Sequence, residues 1–309
     1  LTPDLSVTIA GVTFANPIMT ASGCCGYGEE LAAVFPLSKL GALVTKAITL
    51  KPRDGHRPPR TAETSAGMLN AIGLANVGID HFLSDKVPFL EKQRTKVIVN
   101  VAGSSLKEYV DVSARLNDCP RVDMIELNIS CPNVDKGGLD FGADPVATER
   151  AVSEVRRVFR RPIIAKLGPN VTDIAAIARA AEQGGADALS LINSVVGMSV
   201  DPETWRTRIT NNRGGLTGPA IKPIALAMVD AVHNKCPLPI IGIGGISNHL
   251  DVVEFLLVGA SAVQVGTALF VRPDAPVRIV SGLKEYMKSK KLGTIGDIVG
   301  KVRKYGCQS

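Results

Sequence analysis

IIAKLGPNVTDIAAIARAAEQGGADALSLI, residues 163–192, holds a strand, a helix and a second strand in succession. Ile163–Leu167 and Ala188–Ile192 are short apolar runs, too continuous for a half-exposed sheet and typical of parallel strands covered by helices. Between them Ile174, Ile177, Ala178 and Ala181 fall on one helical face; Thr172 can cap the start and Gly184 can stop it. The stretch therefore reads as one strand–helix–strand unit of a parallel sheet.

Outward from this unit the pattern repeats. Ile18–Ala21, Ala42–Ala47, Val97–Val101, Met124–Ile129, Ile240–Ile243 and Ala262–Val265 are further strand candidates, which makes eight with the two above. Asp144-Pro145, Pro219 and Asn248 with Asp251 mark helix starts, and Gly259 marks an end. Eight strands with helices between them predict a closed (β/α)8 TIM barrel of one domain, residues 1–309, rather than an open sheet. Two pieces stand outside the repeat. Val7–Ile9 and Val12–Phe14 flank Ala10-Gly11 and predict an N-terminal β-hairpin at the barrel floor. Ser199–Gly215 is an inserted polar excursion after strand six, long enough to suggest a functional loop.

The composition narrows the function classes. With 309 residues, 45% hydrophobic content and 30 glycines, the chain can bury one large core. Its net charge of +6 is scattered; only Arg156, Arg157, Arg160 and Arg161 crowd together, and they are expected to form a solvated helix end. At 4% aromatic content there is little to stack against bases, so no nucleic-acid partner is expected. Six cysteines without C-x-x-C spacing point to a reducing cytoplasm, and four histidines without ligand spacing point to no metal. No signal peptide or membrane span is expected, because the uncharged stretches are broken by Gly, Pro, Ser, Asn or Gln.

A parallel barrel places its site at the strand C-terminal ends. Those ends carry Ser22, Lys46, Asn100, Asn128, Lys166, Asn193-Ser194, Gly244-Gly245 and Gly266-Thr267, polar groups that a purely structural barrel would not need. The glycine turns after strands seven and eight suit a phosphate cradle. Cys131 follows strand four between the amides of Asn128 and Asn133. A free thiol titrates near ~8.5, so about a tenth is thiolate at pH 7.5, enough for a general base. Gly137, Gly138 and Gly142 make Val134–Gly142 a candidate lid. The adjacent thiols of Cys24 and Cys25 are assigned to packing.

At Asn128-Ile-Ser-Cys131-Pro-Asn133 the chain resembles the active-site signature of class 1 dihydroorotate dehydrogenases. Ala21-Ser22-Gly23, Thr45-Lys46-Ala47, Asn70-Ala71-Ile72-Gly73-Leu74, Lys166-Leu-Gly-Pro-Asn170, Ile192-Asn193-Ser194, Gly214–Pro219 and Ile243-Gly244-Gly245 are similar to family motifs in family order, over nearly the whole chain. The resemblance implies FMN on this chain, contacted by Ser22, Lys46, Ala47, Asn100, Asn128, Lys166, Ile192, Gly218, Gly244, Gly245, Gly266 and Thr267. It implies dihydroorotate held by Lys46, Asn70, Ala71, Ile72, Gly73, Leu74, Asn128, Asn133, Asn193 and Ser194, with Cys131 as the base at C5 and hydride leaving C6 for flavin N5. Lys166 near flavin N1 would stabilise the reduced ring by charge.

The resemblance also bears on the electron acceptor. Cysteine as base separates the chain from the membrane-bound class, which uses serine. Residues 134–142 are similar to type B, in which electrons pass to NAD+ through a separate subunit carrying FAD and a [2Fe–2S] cluster. This chain lacks the clustered cysteines such a centre needs, so two copies with two electron-transfer subunits are expected. The rival readings are a type A homodimer that reduces fumarate, a non-redox phosphate-binding aldolase using Lys46 or Lys166 as Schiff base, and a flavin-binding scaffold.

Overall fold

The computed structural model describes residues 2–129 and 141–305; Cys131, Asn133, Gly137, Gly138 and the rest of segment 130–140 lie outside the described residues. Eight parallel strands close into a barrel: β1 (Ile18–Thr20), β2 (Ala42–Val44), β3 (Lys96–Val101), β4 (Met124–Asn128), β5 (Ile163–Leu167), β6 (Ala188–Leu191), β7 (Ile240–Ile243) and β8 (Ala260–Val265). Each pairs with its sequence neighbours, and β8 pairs with β1 through Val263↔Ile18. All eight expected strands are present, several a residue or more shorter or longer than their apolar runs.

Strand alternation splits the core into two parts. Outward residues such as Val97, Val99, Ile125, Leu127, Ala165, Leu189 and Val263 pack against the helix ring. Inward residues Met19, Val44, Ile98, Met124, Ile164, Ala188, Ile241 and Ala262 join Ile9 and Phe14 in a separate apolar floor. Ile9 and Phe14 come from the hairpin Val7–Ile9/Val12–Phe14, which forms with the register expected of a two-residue turn at Ala10-Gly11.

The helix boundaries follow local chemistry with small displacements. Ile174–Gln183 is capped by Asp173 rather than Thr172, since the Asp173 carboxylate accepts from the N–H groups of Ala175 and Ala176. Gly184 ends it as expected, as the C-cap, and Gly185 beyond it takes the left-handed conformation. Asp144 caps Pro145–Val158, and Asn248 and Asp251 form a reciprocal capping box on His249–Leu257.

The arginine group departs from a solvated face. Arg157 and Arg160 are exposed, whereas Arg156 pairs with Asp187 and Arg161 donates to the carbonyls of Leu116, Asn117, Cys119 and Val122. The last turn of Leu106–Asn117 leaves carbonyls without intrahelical donors, and the Arg161 fork supplies them.

The excursion after β6 is more ordered than a polar loop. Val200–Asp201 pairs with Arg206–Thr207, and the chain returns as Gly214–Thr217. That segment joins Val195–Gly197, Gly67–Asn70 and Thr61–Thr64 in a four-stranded antiparallel sheet beside the barrel mouth. Gly215 is required there: a Cβ at this position would stand 2.0 Å from Ser194 Oγ. Among the described residues no helix is long and apolar enough to cross a membrane.

Candidate functional site

A strand residue two places after an inward one points inward again. Above the floor residues Ile98, Met124, Ile164, Ala188 and Ala262 therefore stand Asn100, Glu126, Lys166, Ser190 and Gln264, all buried. The barrel interior thus changes from apolar to polar in one layer. Glu126 gathers that layer. Asn100 Nδ2 donates to its Oε1 at 2.7 Å, Ser190 Oγ and Gln264 Nε2 donate to Oε2 at 2.9 and 2.5 Å, and Lys166 Nζ lies 3.4 Å from Oε1. A carboxylate with no solvent contact is tolerated only with such partners.

Over this layer opens a cavity of about 1130 Å³. Ser22, Lys46, Lys166, Ile192, Asn193 and Ser194 line it, as do the turns Gly218, Gly244-Gly245 and Gly266-Thr267. The cover sheet supplies Thr61–Thr64, Gly67-Met68 and Thr217. Because Ile243 pairs with Gln264, the turns after β7 and β8 start from neighbouring strand ends. Gly245 has φ +69°, and a Cβ there would lie 2.8 Å from Gly218 O, so the β7 turn meets the end of the cover-sheet segment Gly214–Thr217 only through glycine.

The expected site residues fall into three groups. Twelve line the cavity: Ser22, Lys46, Ile72, Lys166, Ile192, Asn193, Ser194, Gly218, Gly244, Gly245, Gly266 and Thr267. Seven others support it without being among its lining residues. Asn100 sits in the Glu126 layer, Ala47 is buried next to Lys46, and Asn70 donates to Gly215 O within the cover sheet. Ala71, Gly73 and Leu74 lie beyond that sheet, where His56 and Arg60 bond the backbone at Ala71 and Ile72. Asn128 ends β4, accepts from Asn193 Nδ2 at 3.4 Å and offers its carbonyl to Tyr109 Oη at 2.7 Å. Cys131 and Asn133 lie outside the described residues, as does the lid segment apart from Phe141 and Gly142. Phe141 packs edge-on against Tyr109.

Sequence reading missed Glu126 as a hub, together with Ser190, Gln264 and Arg60. A signal for the first three exists: each is a polar residue inside a mostly apolar strand, two places after a floor residue. Arg60 lines the cavity, and its guanidinium donates to the carbonyls of His56 and Asp54. Burial and then the Arg60 charge hold the Lys46 ammonium below the usual lysine range, with Glu30 opposing. Two cations therefore border one end of the cavity, an arrangement suited to an anionic group.

Cys25 packs in the core as expected, and Cys24 packs against that core while also lining the cavity. Burial pushes the Cys24 thiol up to about 11, with Lys166 opposing, and the Cys25 thiol up to about 12. Both thiols thus favour folding while protonated. Their contribution is whole below the ordinary value of 9.0 and is lost as pH rises toward 11 and 12. Urea midpoints are expected to fall more steeply between pH 9 and pH 11 for the native sequence than for Cys24→Ala/Cys25→Ala. Parallel pH profiles would rule this out.

The residues fit a flavin mononucleotide. The cavity exceeds the usual small-ligand range of roughly 300–1,000 Å³, leaving room for a cofactor and a small substrate together. The turns at Gly218, Gly245 and Gly266 suit its phosphate, and Lys166 suits the electron-rich edge of its ring. Among the described residues no group of three His, Cys, Asp or Glu side chains could hold a metal.

Comparison with known proteins points the same way. A family model described as dihydroorotate dehydrogenase matches residues 4–287. A protein of Pelobacter propionicus named dihydroorotate dehydrogenase B (NAD(+)), catalytic subunit, is 49% identical over 298 residues, covering 96% of this chain and 98% of its own. A Lachnoclostridium phytofermentans protein of the same name is 50% identical over 300 residues, covering 97% and 100%. Among solved structures, DHODH from Eimeria tenella in complex with ferulenol superposes with a TM-score of 0.80 at 23% identity, covering 97% of this chain and 88% of that one, a likeness of fold.

Proposed function

From the premise that this chain belongs to the dihydroorotate dehydrogenase family, we propose that it oxidises dihydroorotate to orotate in pyrimidine biosynthesis and is the catalytic subunit of an NAD+-linked enzyme. The observation that carries the reading is the single cavity wall on which Lys46, Lys166, Asn193 and the glycine turns of β7 and β8 converge. FMN, when bound, supplies the two-electron acceptor.

The chain's own residues do the remaining work. Gly218, Gly244, Gly245, Gly266 and Thr267 would hold the phosphate, and Ser22, Lys166 and Ile192 would face the ring, with Ala47, Asn100 and Asn128 supporting them from behind the wall. Lys46, with Arg60 adding positive charge beside it, would bind the substrate carboxylate. Asn70, Asn128, Asn133, Asn193 and Ser194, with the 71–74 segment, would meet the ring's amide edges, since each amide both donates and accepts. Cys131 would take the proton from C5. The cover sheet and the lid segment would exclude water.

Electrons would leave through a second subunit carrying FAD and [2Fe–2S], in a complex of two chains of each kind in the cytoplasm. The names of the relatives favour this over fumarate reduction. The test is the visible spectrum of the purified chain under anaerobic conditions. Yellow protein that bleaches on adding dihydroorotate, yet passes no electrons to NAD+ without the partner, is the expected result. A colourless chain unable to take up FMN would end the reading, and full-rate NAD+ reduction by the chain alone would end the two-subunit part of it.

A further inference from the structure

We propose that Glu126, which lies beneath the cavity and is not among its lining residues, is a positioning residue that fixes the Lys166 ammonium and lowers the readiness of the bound flavin to accept electrons. The inference rests on the flavin reading above and carries it one layer down the barrel.

Lys166 is the only member of the polar layer that reaches the cavity wall; its side chain is 7% exposed and that of Glu126 is 0% exposed. A carboxylate accepts hydrogen bonds and donates none, so each amide facing Glu126 must turn its NH2 inward. Asn100 and Gln264 do so, and their oxygens, Asn100 Oδ1 and Gln264 Oε1, are left buried without a partner. The layer under the cavity therefore sets the Glu126 carboxylate directly against the one ammonium. Water does not reach the Glu126 carboxylate, so its field is weakly screened.

Two consequences follow for Lys166. Its Nζ is tethered toward Glu126 Oε1 at 3.4 Å and cannot swing freely into the cavity. Its positive charge is also partly cancelled where the cofactor would sit. An isolated lysine there would draw electrons to the ring more strongly than this pair does. A layer that only joined the strands would have no such effect, because Asn100, Glu126, Ser190 and Gln264 would then be exchangeable for any well-packed set.

The test is a dye-coupled anaerobic redox titration of the flavin-loaded chain. Glu126→Gln removes the charge and keeps the shape. The ratio of reduced to oxidised flavin at a fixed potential is expected to rise about tenfold, the order of effect of one weakly screened charge, equal to an upward shift of roughly 30 mV for a two-electron couple. Ser190→Ala, which strips one donor from Oε2 and leaves the carboxylate charge less compensated, is expected to move the ratio the other way by about threefold. It also serves as the test if Glu126→Gln fails to fold. A flavin-loaded Glu126→Gln whose ratio is unchanged or falls overturns the inference, as does a flavin-loaded Ser190→Ala with no shift, and either result leaves the flavin reading standing. A native chain that binds no FMN overturns both.

Discussion

Replacing Cys131 by alanine is expected to slow dihydroorotate-dependent bleaching of the bound flavin by about two to four orders of magnitude, with flavin content unchanged. The expectation follows from the kind of group required at that place in the chain. Proton loss from a carbon next to a carbonyl is best served by a base whose pKa lies near the working pH, and a thiol near ~8.5 is the neighbouring group that meets this. The amides of Asn128 and Asn193 are already hydrogen-bonded to each other and do not ionise, so neither can replace it. Cys131→Ser separates shape from basicity: it should retain substrate binding but need a higher pH for the same rate. Stopped-flow absorbance under anaerobic conditions reads both variants. Bleaching of Cys131→Ala within threefold of the native rate would show that the proton leaves by another route.

Replacing Lys166 by methionine is expected to cost about 3–5 kcal/mol of stability, because it leaves the Glu126 carboxylate without its cation in a site closed to water. Surface ion pairs in this chain, such as Lys107–Asp111 with the lysine 82% exposed, would lose far less when broken. The same substitution removes the cation from the cavity wall, so FMN retention should fall as well. The double variant Lys166→Met/Glu126→Gln separates the two effects. It removes both charges together and keeps an amide oxygen to accept from the surrounding donors, so it should recover much of the stability while flavin retention stays low. Urea unfolding monitored by circular dichroism gives the stabilities. A single variant as stable as the native chain would mean that Glu126 is compensated by its hydrogen-bond donors alone.

How far the site could be read in advance depended on the range of the interactions that make it. Lys46, Lys166 and the glycines at 244, 245 and 266 stand at strand ends, and strand ends are visible as the close of an apolar run. Asn70 and Gly215 could be named only from family motifs, because they meet across strands that are 145 residues apart. The shift of the cap from Thr172 to Asp173 has a local cause: both residues can cap, and the carboxylate accepts two N–H groups at once. Arg161 looked like a solvent-facing residue because the carbonyls it serves belong to a different part of the chain, near Asn117 and Val122.

Hydrophobic periods of 2 and 3.6, with their caps and breakers, act over a few neighbouring residues, and for that reason the chain's order of residues alone determined the eight strands, the helices between them and the end of the barrel where polar groups collect. Closing the barrel decided the rest. Only then do five strands aim Asn100, Glu126, Lys166, Ser190 and Gln264 at one another, and only the pairing of Gly214–Thr217 with Gly67–Asn70 builds the cavity's cover. Such contacts depend on barrel curvature and strand register, which are set by the packing of the whole ring rather than by any segment of it.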